Sequence, residues 1–246
     1  MDPETHTIVR DGGDAVWNPF DMAALELALR LKDNLGARVC VLSMGIPATE
    51  ALLRDAVARG ADDCLLLSDR AFAGSDTLAT SYALTLGLRA LGNFDVVLCG
   101  KMAVDGDTAQ IGPEVAEALG VPCVSAVEAL EVCEGSAICT AVCDGVRRRL
   151  RVPTPCVLTV DKTAADLRMP SVEGVLAAQG ASVLVMGAAD VGADPGRCGL
   201  AGSPTQVASC AVPKTESSCV AVEGEPAQVA KRLCELLGPV LEGAAS

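Results

Sequence analysis

The chain has 246 residues, half of them hydrophobic, and a formal net charge of −13. That length fits one large domain or one domain with an appendage, and the acidic balance opposes both a nucleic-acid backbone and an anionic membrane surface. With only 3 Phe, 1 Trp and 1 Tyr, the core must be aliphatic, which suits helices packed on buried parallel strands.

No apolar run reaches the ~20 residues that span a bilayer, so no membrane insertion is expected. The start, Met1-Asp2-Pro3-Glu4-Thr5, is acidic and polar and lacks the features of a signal peptide. The 12 cysteines include no Cys-x-x-Cys pair, and His6 is the single histidine, so no metal site is expected. Several cysteines lie inside apolar runs such as Val39-Cys40-Val41-Leu42. They read as buried free thiols in a cytoplasmic protein rather than as a disulfide framework.

In chain order, His6–Val9 and Ala15–Trp17 read as a hairpin about Gly12-Gly13. Asn18-Pro19 opens a helix that Gly36 stops. A buried strand is expected over Arg38–Met44, a helix from Pro47 to Ala58, and a strand over Cys64–Leu67. Asp76 caps a helix to Leu91; Asp95–Cys99 is the next strand, and a loop from Gly100 to Thr108 leads into a helix ending at Leu119. This alternation means parallel strands with right-handed crossovers. After Pro122 the rhythm changes to strands over Val124–Cys133, Ala137–Cys143, Val146–Val152 and Cys156–Val160, joined by short polar turns. A short helix over Ser171–Gln179 and a strand over Ser182–Met186 follow. The fold class is therefore α/β: a three-layer nucleotide-binding fold whose mostly parallel sheet is extended by antiparallel strands. Residues 1–187 form that domain; glycine, proline and serine then dominate, so 188–246 reads as an extended arm for partner contact with a final helix over Glu225–Leu241.

Ligands in open α/β sheets bind beyond the carboxyl ends of the strands. Three segments occupy such positions: Ser43-Met44-Gly45, Ser68–Thr77 and Gly100–Gly112. In the third, Gly100 and Gly106 permit close backbone approach, and a helix start offers free N–H groups to an anion. Thr108 and Gln110 add side-chain hydrogen bonds; Asp105 and Asp107 are expected to brace the loop through backbone N–H groups. The same residues also fit a capped helix after an ordinary turn, and Asn18-Pro19-Phe20-Asp21 and Asp76-Thr77 read most simply as caps. No serine or cysteine has a base at hand and no carboxylate pair is evident, so no catalytic residue is assigned.

Taken in order, Asn18-Pro19-Phe20-Asp21, Ser43-Met44-Gly45, Arg70–Thr77 with Ala79-Thr80-Ser81, Asp105–Pro113 and Gly199–Thr205 resemble the β (small) subunit of electron-transfer flavoproteins, nearest the electron-bifurcating branch. The resemblance implies a heterodimer with an FAD-bearing α subunit. It further implies FAD or AMP in this chain, NAD as a transient redox partner, and an acyl-CoA dehydrogenase-type or quinone-linked partner. It places nucleotide contacts at Asn18, Pro19, Phe20, Asp21 and Met44, at Gly100, and at Asp105, Gly106, Asp107, Thr108, Ala109 and Gln110. The contacts continue through Ile111, Gly112, Pro113, Glu114, Val115 and Ala116. Ala73, Gly74, Ser75, Asp76, Thr77 and Thr80 would lie near the flavin and NAD. The family begins with a strand ahead of the hairpin, so that central strand is expected to be missing here, which exposes apolar neighbours and removes one wall of the adenine pocket. Such a chain carries electrons only together with its α subunit. Two other readings stay open: a non-redox adenine-nucleotide-binding regulatory module, and an inactive truncated subunit.

Overall fold

A computed structural model of the protein describes residues 16–208, 219 and 221–243. The expected N-terminal hairpin falls almost wholly outside them. Asn18 opens α1 (Pro19–Leu35), accepting from the Phe20 N–H, and Gly36 closes it in the left-handed region. β1 (Cys40–Met44) follows, then a 3-10 turn (Pro47–Thr49) running into α2 (Glu50–Arg59). β2 (Asp63–Leu67) leads through a second turn (Arg70–Phe72) to α3 (Thr77–Leu91). β3 (Val96–Gly100) and α4 (Ile111–Leu119) are joined by the long loop 101–110.

The strands β4 (Cys123–Cys133), β5 (Ser136–Cys143) and β6 (Val146–Pro153) form an antiparallel meander. Its second turn is Asp144-Gly145, both with positive φ, the backbone a two-residue hairpin demands. The chain then returns through β7 (Cys156–Val160), which inserts parallel to both β3 and β4. α5 (Val172–Gly180) and β8 (Leu184–Met186) complete the strand and helix series.

The strands form two sheets. One is parallel, in the order β1-β2-β8; the other is mixed, in the order β3-β7-β4-β5-β6. β1 and β3 are therefore each the edge of a sheet, and both are only half-buried although their side chains are mostly apolar. Two helices bind the sheets together. α1 packs Leu25 and Leu29 with Val39 and Val41, and its Ala23, Ala24 and Leu27 against Val160 and Leu98. α3 sends Leu84 both to the cluster of Leu65, Leu67 and Phe72 and to that of Val115, Ala116 and Val157. Gly87 interrupts α3 at about 1 kcal/mol of helix propensity because a Cβ there would stand 3.0 Å from Leu42 and Leu67 side-chain carbons.

Residues 187–205 pack on the turn after β2 and on α3. Ala188 donates to Asp69, Asp194 N–H donates to the Tyr82 hydroxyl, the Arg197 guanidinium stacks 4.0 Å from the Tyr82 ring, and Cys198 is buried beside Phe72. The contacts divide the chain after Ala208, into Met1–Ala208 and Ser209–Ser246. The second unit contains α6 (Pro226–Gly243), the expected last helix, whose first turn is closed by Gln228 and Val229 N–H donating to the Glu225 carbonyl. No helix among the described residues is long and apolar enough to cross a membrane.

The cysteines correct an expectation. Cys64, Cys139, Cys156 and Cys198 are buried, but Cys40, Cys123, Cys133, Cys143, Cys219 and Cys234 are exposed. Cys40 starts an edge strand, and Cys133 and Cys143 stand at strand ends beside turns, where the sheet no longer covers them.

Candidate functional site

The starts of α3 and α4 converge beyond the carboxyl ends of β2 and β3. Thr77 Oγ1, in the first turn of α3, lies 3.1 Å from Gln110 Oε1 and 3.2 Å from Glu114 Oε1 in the first turn of α4. The hydroxyl has one proton, so it donates to one of the two oxygens. Glu114 Oε2 is fully buried and has no hydrogen-bond partner among the described residues, a costly state for a carboxylate oxygen.

The two helix starts differ in their caps. Asp76 caps α3, its Oδ1 accepting from Ala79 N–H at 3.0 Å. Its Oδ2 accepts from both the N–H (3.1 Å) and the hydroxyl (2.7 Å) of Thr205. Burial pushes the Asp76 carboxyl up, but the Thr205 and Ala79 donors outweigh it and hold the group below the usual range. At α4, Gln110 makes no side-chain cap bond. The first-turn N–H groups, orphaned by helix geometry, meet no capping side chain, and Pro113 contributes none. Ahead of them Asp107 and Ala109 adopt positive φ of 49° and 54°, a strained backbone for non-glycine residues. Residues 103–110 are exposed.

The bracing of this loop corrects the sequence reading. Asp105 and Asp107 are exposed, and neither side chain enters the hydrogen bonds that hold the loop. Residues far away in sequence do the work. Asp21 Oδ1 accepts from Gly100 N–H at 2.7 Å, and Asn18 Nδ2 donates to the Met102 carbonyl at 2.8 Å and to Asp21 Oδ2 at 2.7 Å. Lys101 N–H donates to the Val160 carbonyl, and its ammonium pairs with Asp161 at 3.3 Å. Burial raises the Asp161 carboxyl, but Thr163 and Lys101 together bring it below the ordinary value. Asn18 and Asp21 thus work as more than a cap: they tie α1 to the loop after β3.

Two of the loop's glycines serve packing. A Cβ at Gly100 would stand 2.7 Å from Asp21 Oδ1 and 2.9 Å from Asp21 N; one at Gly112 would stand 2.3 Å from Thr159 Cγ2. A Cβ at Gly106 would meet only Thr108 Cγ2, at 4.0 Å. Phe20 is buried at the start of α1, and Val115 and Ala116 lie in the core beneath α4. Met44 packs into the cluster of Leu65, Leu67 and Phe72. Ala73 and Gly74 are exposed, while Ser75, Asp76, Thr77 and Thr80 are half-buried at the head of α3. The structure therefore brings loop 101–110, the head of α4 and the head of α3 together. It gives Asn18, Phe20, Asp21, Met44, Val115 and Ala116 supporting contacts within the protein.

Ser203 and Thr205 were not among the expected site residues, although they lie in a segment that the resemblance covered. Their partner Asp76 is 127 and 129 residues away in sequence, and only the closely spaced Gly199 and Gly202 hinted at tight backbone packing. Burial pushes the Cys99 thiol, beneath Gly112, up to about 12. The chemistry that the two heads offer is binding, by backbone N–H groups and hydroxyls.

The model of the electron transfer flavoprotein domain matches residues 5–193. The electron transfer flavoprotein subunit beta of Thermoanaerobacterium thermosaccharolyticum is 39% identical over 238 residues, which is 96% of this chain and 91% of the relative. The caffeyl-CoA reductase-Etf complex subunit CarD of Acetobacterium woodii is 42% identical over 208 residues, 84% of this chain and 79% of the relative. Protein FixA of Bradyrhizobium diazoefficiens is 37% identical over 243 residues, 96% and 84% of the two chains. Identity of this level over nearly the whole length, with an α/β fold to match, places this chain in the electron transfer flavoprotein family, as a β subunit.

Proposed function

We propose that this β subunit holds an adenine nucleotide, FAD or AMP, with its phosphates at the uncapped start of α4 and the rest of the molecule alongside the head of α3. The observation that carries the reading is the contrast in caps: α4 leaves its first-turn N–H groups to an outside acceptor, while its neighbour α3 is closed by Asp76. Backbone donors and the helix dipole suit a phosphate without any basic side chain. If FAD is bound, it supplies the redox chemistry, and the protein supplies position and electrostatics.

In this reading the chain works as a heterodimer with an FAD-bearing α subunit and passes electrons from NADH or a flavin dehydrogenase to an acceptor. An acyl-CoA dehydrogenase-type or quinone-linked protein is the expected partner, and NAD visits transiently near 73–80. The test is to co-express the chain with its α subunit and count nucleotides per heterodimer. Two flavins and reduction by NADH support the bifurcating form; one flavin with AMP selects the simple carrier. Absence of any adenine nucleotide from the β subunit overturns the reading.

A further inference from the structure

The head of α3 is fixed by a segment more than a hundred residues downstream. Ser203 is buried, and its oxygen accepts from Asp76 N–H at 2.8 Å while its hydroxyl donates to the Gly199 carbonyl at 2.7 Å. Thr205 closes on Asp76 Oδ2 with both its N–H and its hydroxyl. The backbone of the segment lies tight against the same loop. Leu200 N–H donates to the Ala73 carbonyl at 3.2 Å, and a Cβ on Gly199 would stand 2.4 Å from the Ala71 carbonyl oxygen. Gly199 has a φ of +56°, so both its conformation and its neighbours call for glycine.

We propose that Ser203 and Thr205 are positioning residues of the ligand site, holding Asp76 and the turn 74–77 so that Thr77 meets Gln110 and Glu114. The proposal rests on the reading that the nucleotide lies at the heads of α3 and α4. The electrostatic reason is specific. Asp76 carries a negative charge beside the place assigned to phosphate, and a carboxylate released at a helix head competes with an anion for N–H groups. Thr205 keeps Oδ2 engaged, so the charge stays within the protein as a cap. Ser203 sets the path of the backbone at Asp76 itself. Thr77, the next residue, then stands where its hydroxyl reaches α4.

The experiment uses the full chain co-purified with its α subunit, stripped and titrated with FAD and with AMP, beside thermal unfolding of each sample. Thr205→Val deletes the hydroxyl on an exposed residue and leaves the N–H bond in place. It is expected to weaken the β-site nucleotide about 3- to 10-fold, as loss of one charge-assisted hydrogen bond does, with little change in melting temperature. Ser203→Ala is expected to weaken it more. Thr205→Ser, which restores the hydroxyl, is expected to recover affinity. Since Ser203 is buried, Thr205→Val and its serine counterpart carry the test if Ser203→Ala fails to fold. Wild-type affinity in Thr205→Val, whatever its stability, overturns the positioning role. A wild-type complex that binds neither FAD nor AMP in its β subunit overturns the underlying site reading instead.

Discussion

The heads of α3 and α4 stand side by side and are finished in opposite ways. α3 is closed by Asp76, which is itself held by Thr205 and Ser203. α4 begins at a strained turn, with no cap and with Gly112 pressed onto Thr159. A helix head that the protein completes contributes to stability, and one left open is available to a ligand at the cost of stability. The neighbouring heads therefore differ as sites: α3 is closed by its own cap, and α4 is the head to which we assign the anion.

Four experiments would break or sharpen this division. The largest effect is expected at the packed side of α4. Gly112→Ala drives a methyl group into Thr159, which is buried and whose hydroxyl accepts from Ala126 N–H at the bulge of β4. Overpacking of this kind costs about 2–3 kcal/mol, or roughly 4–12 °C of melting temperature in a domain of this size. Thr159→Ser in the same chain removes the offending carbon and keeps the hydroxyl, so most of the loss should return. If it does not, Gly112 serves something other than packing.

Next is Asp76→Ala, which removes the cap of α3 together with the partners of Thr205. Its cost should be about 2 kcal/mol, measured by denaturant unfolding; a loss under about 0.5 kcal/mol would remove the contrast between the two heads.

Acid should then erase part of that difference. Because the Asp76 carboxyl is held below its ordinary 3.8, its contribution is complete above that pH and disappears as the pH falls through the lower folded-state value. The stability gap between wild type and Asp76→Asn should therefore narrow on going from about pH 5 to pH 2. A gap that widened would reverse the assignment.

The smallest effect is expected at Glu114. Glu114→Gln removes a charge whose Oε2 has no donor, so the nucleotide-free protein should be unchanged or more stable, within about 1 kcal/mol. A larger destabilisation would show that this carboxylate already has a partner.

Much of the scaffold was legible in the residues. Asn18-Pro19 with Gly36, Asp76 with Thr77, and Asp144-Gly145 are local signals, and each opened, capped or turned the chain where expected. The change of rhythm after Pro122, to strands joined by short polar turns, marked the passage from crossovers to an extension that holds antiparallel strands. Sequence order could not reveal that β7, the last strand of that run, inserts between β3 and β4. Nor could it show that β1 and β3 edge separate sheets bridged by α1 and α3. Strand pairing is a long-range choice made by burial, and neighbours in sequence need not pair.

At the site the division is similar. Loop 101–110 and the head of α4 could be found from glycine, threonine and a helix start following a strand. Their bracing could not. Asp105 and Asp107 were the nearest candidates in sequence, but Asp21, Asn18 and Asp161 hold the loop, because packing α1 and β7 around β3 sets those side chains against it. The sequence by itself determined the local elements, the helix start after β3 and, through several collinear blocks, the family. Only the tertiary structure decided which glycines are there for packing and which distant residues finish the site. It alone joined Ser203 and Thr205 to Asp76, because hydrogen bonds between residues 127 and 129 positions apart leave no periodic trace in the chain.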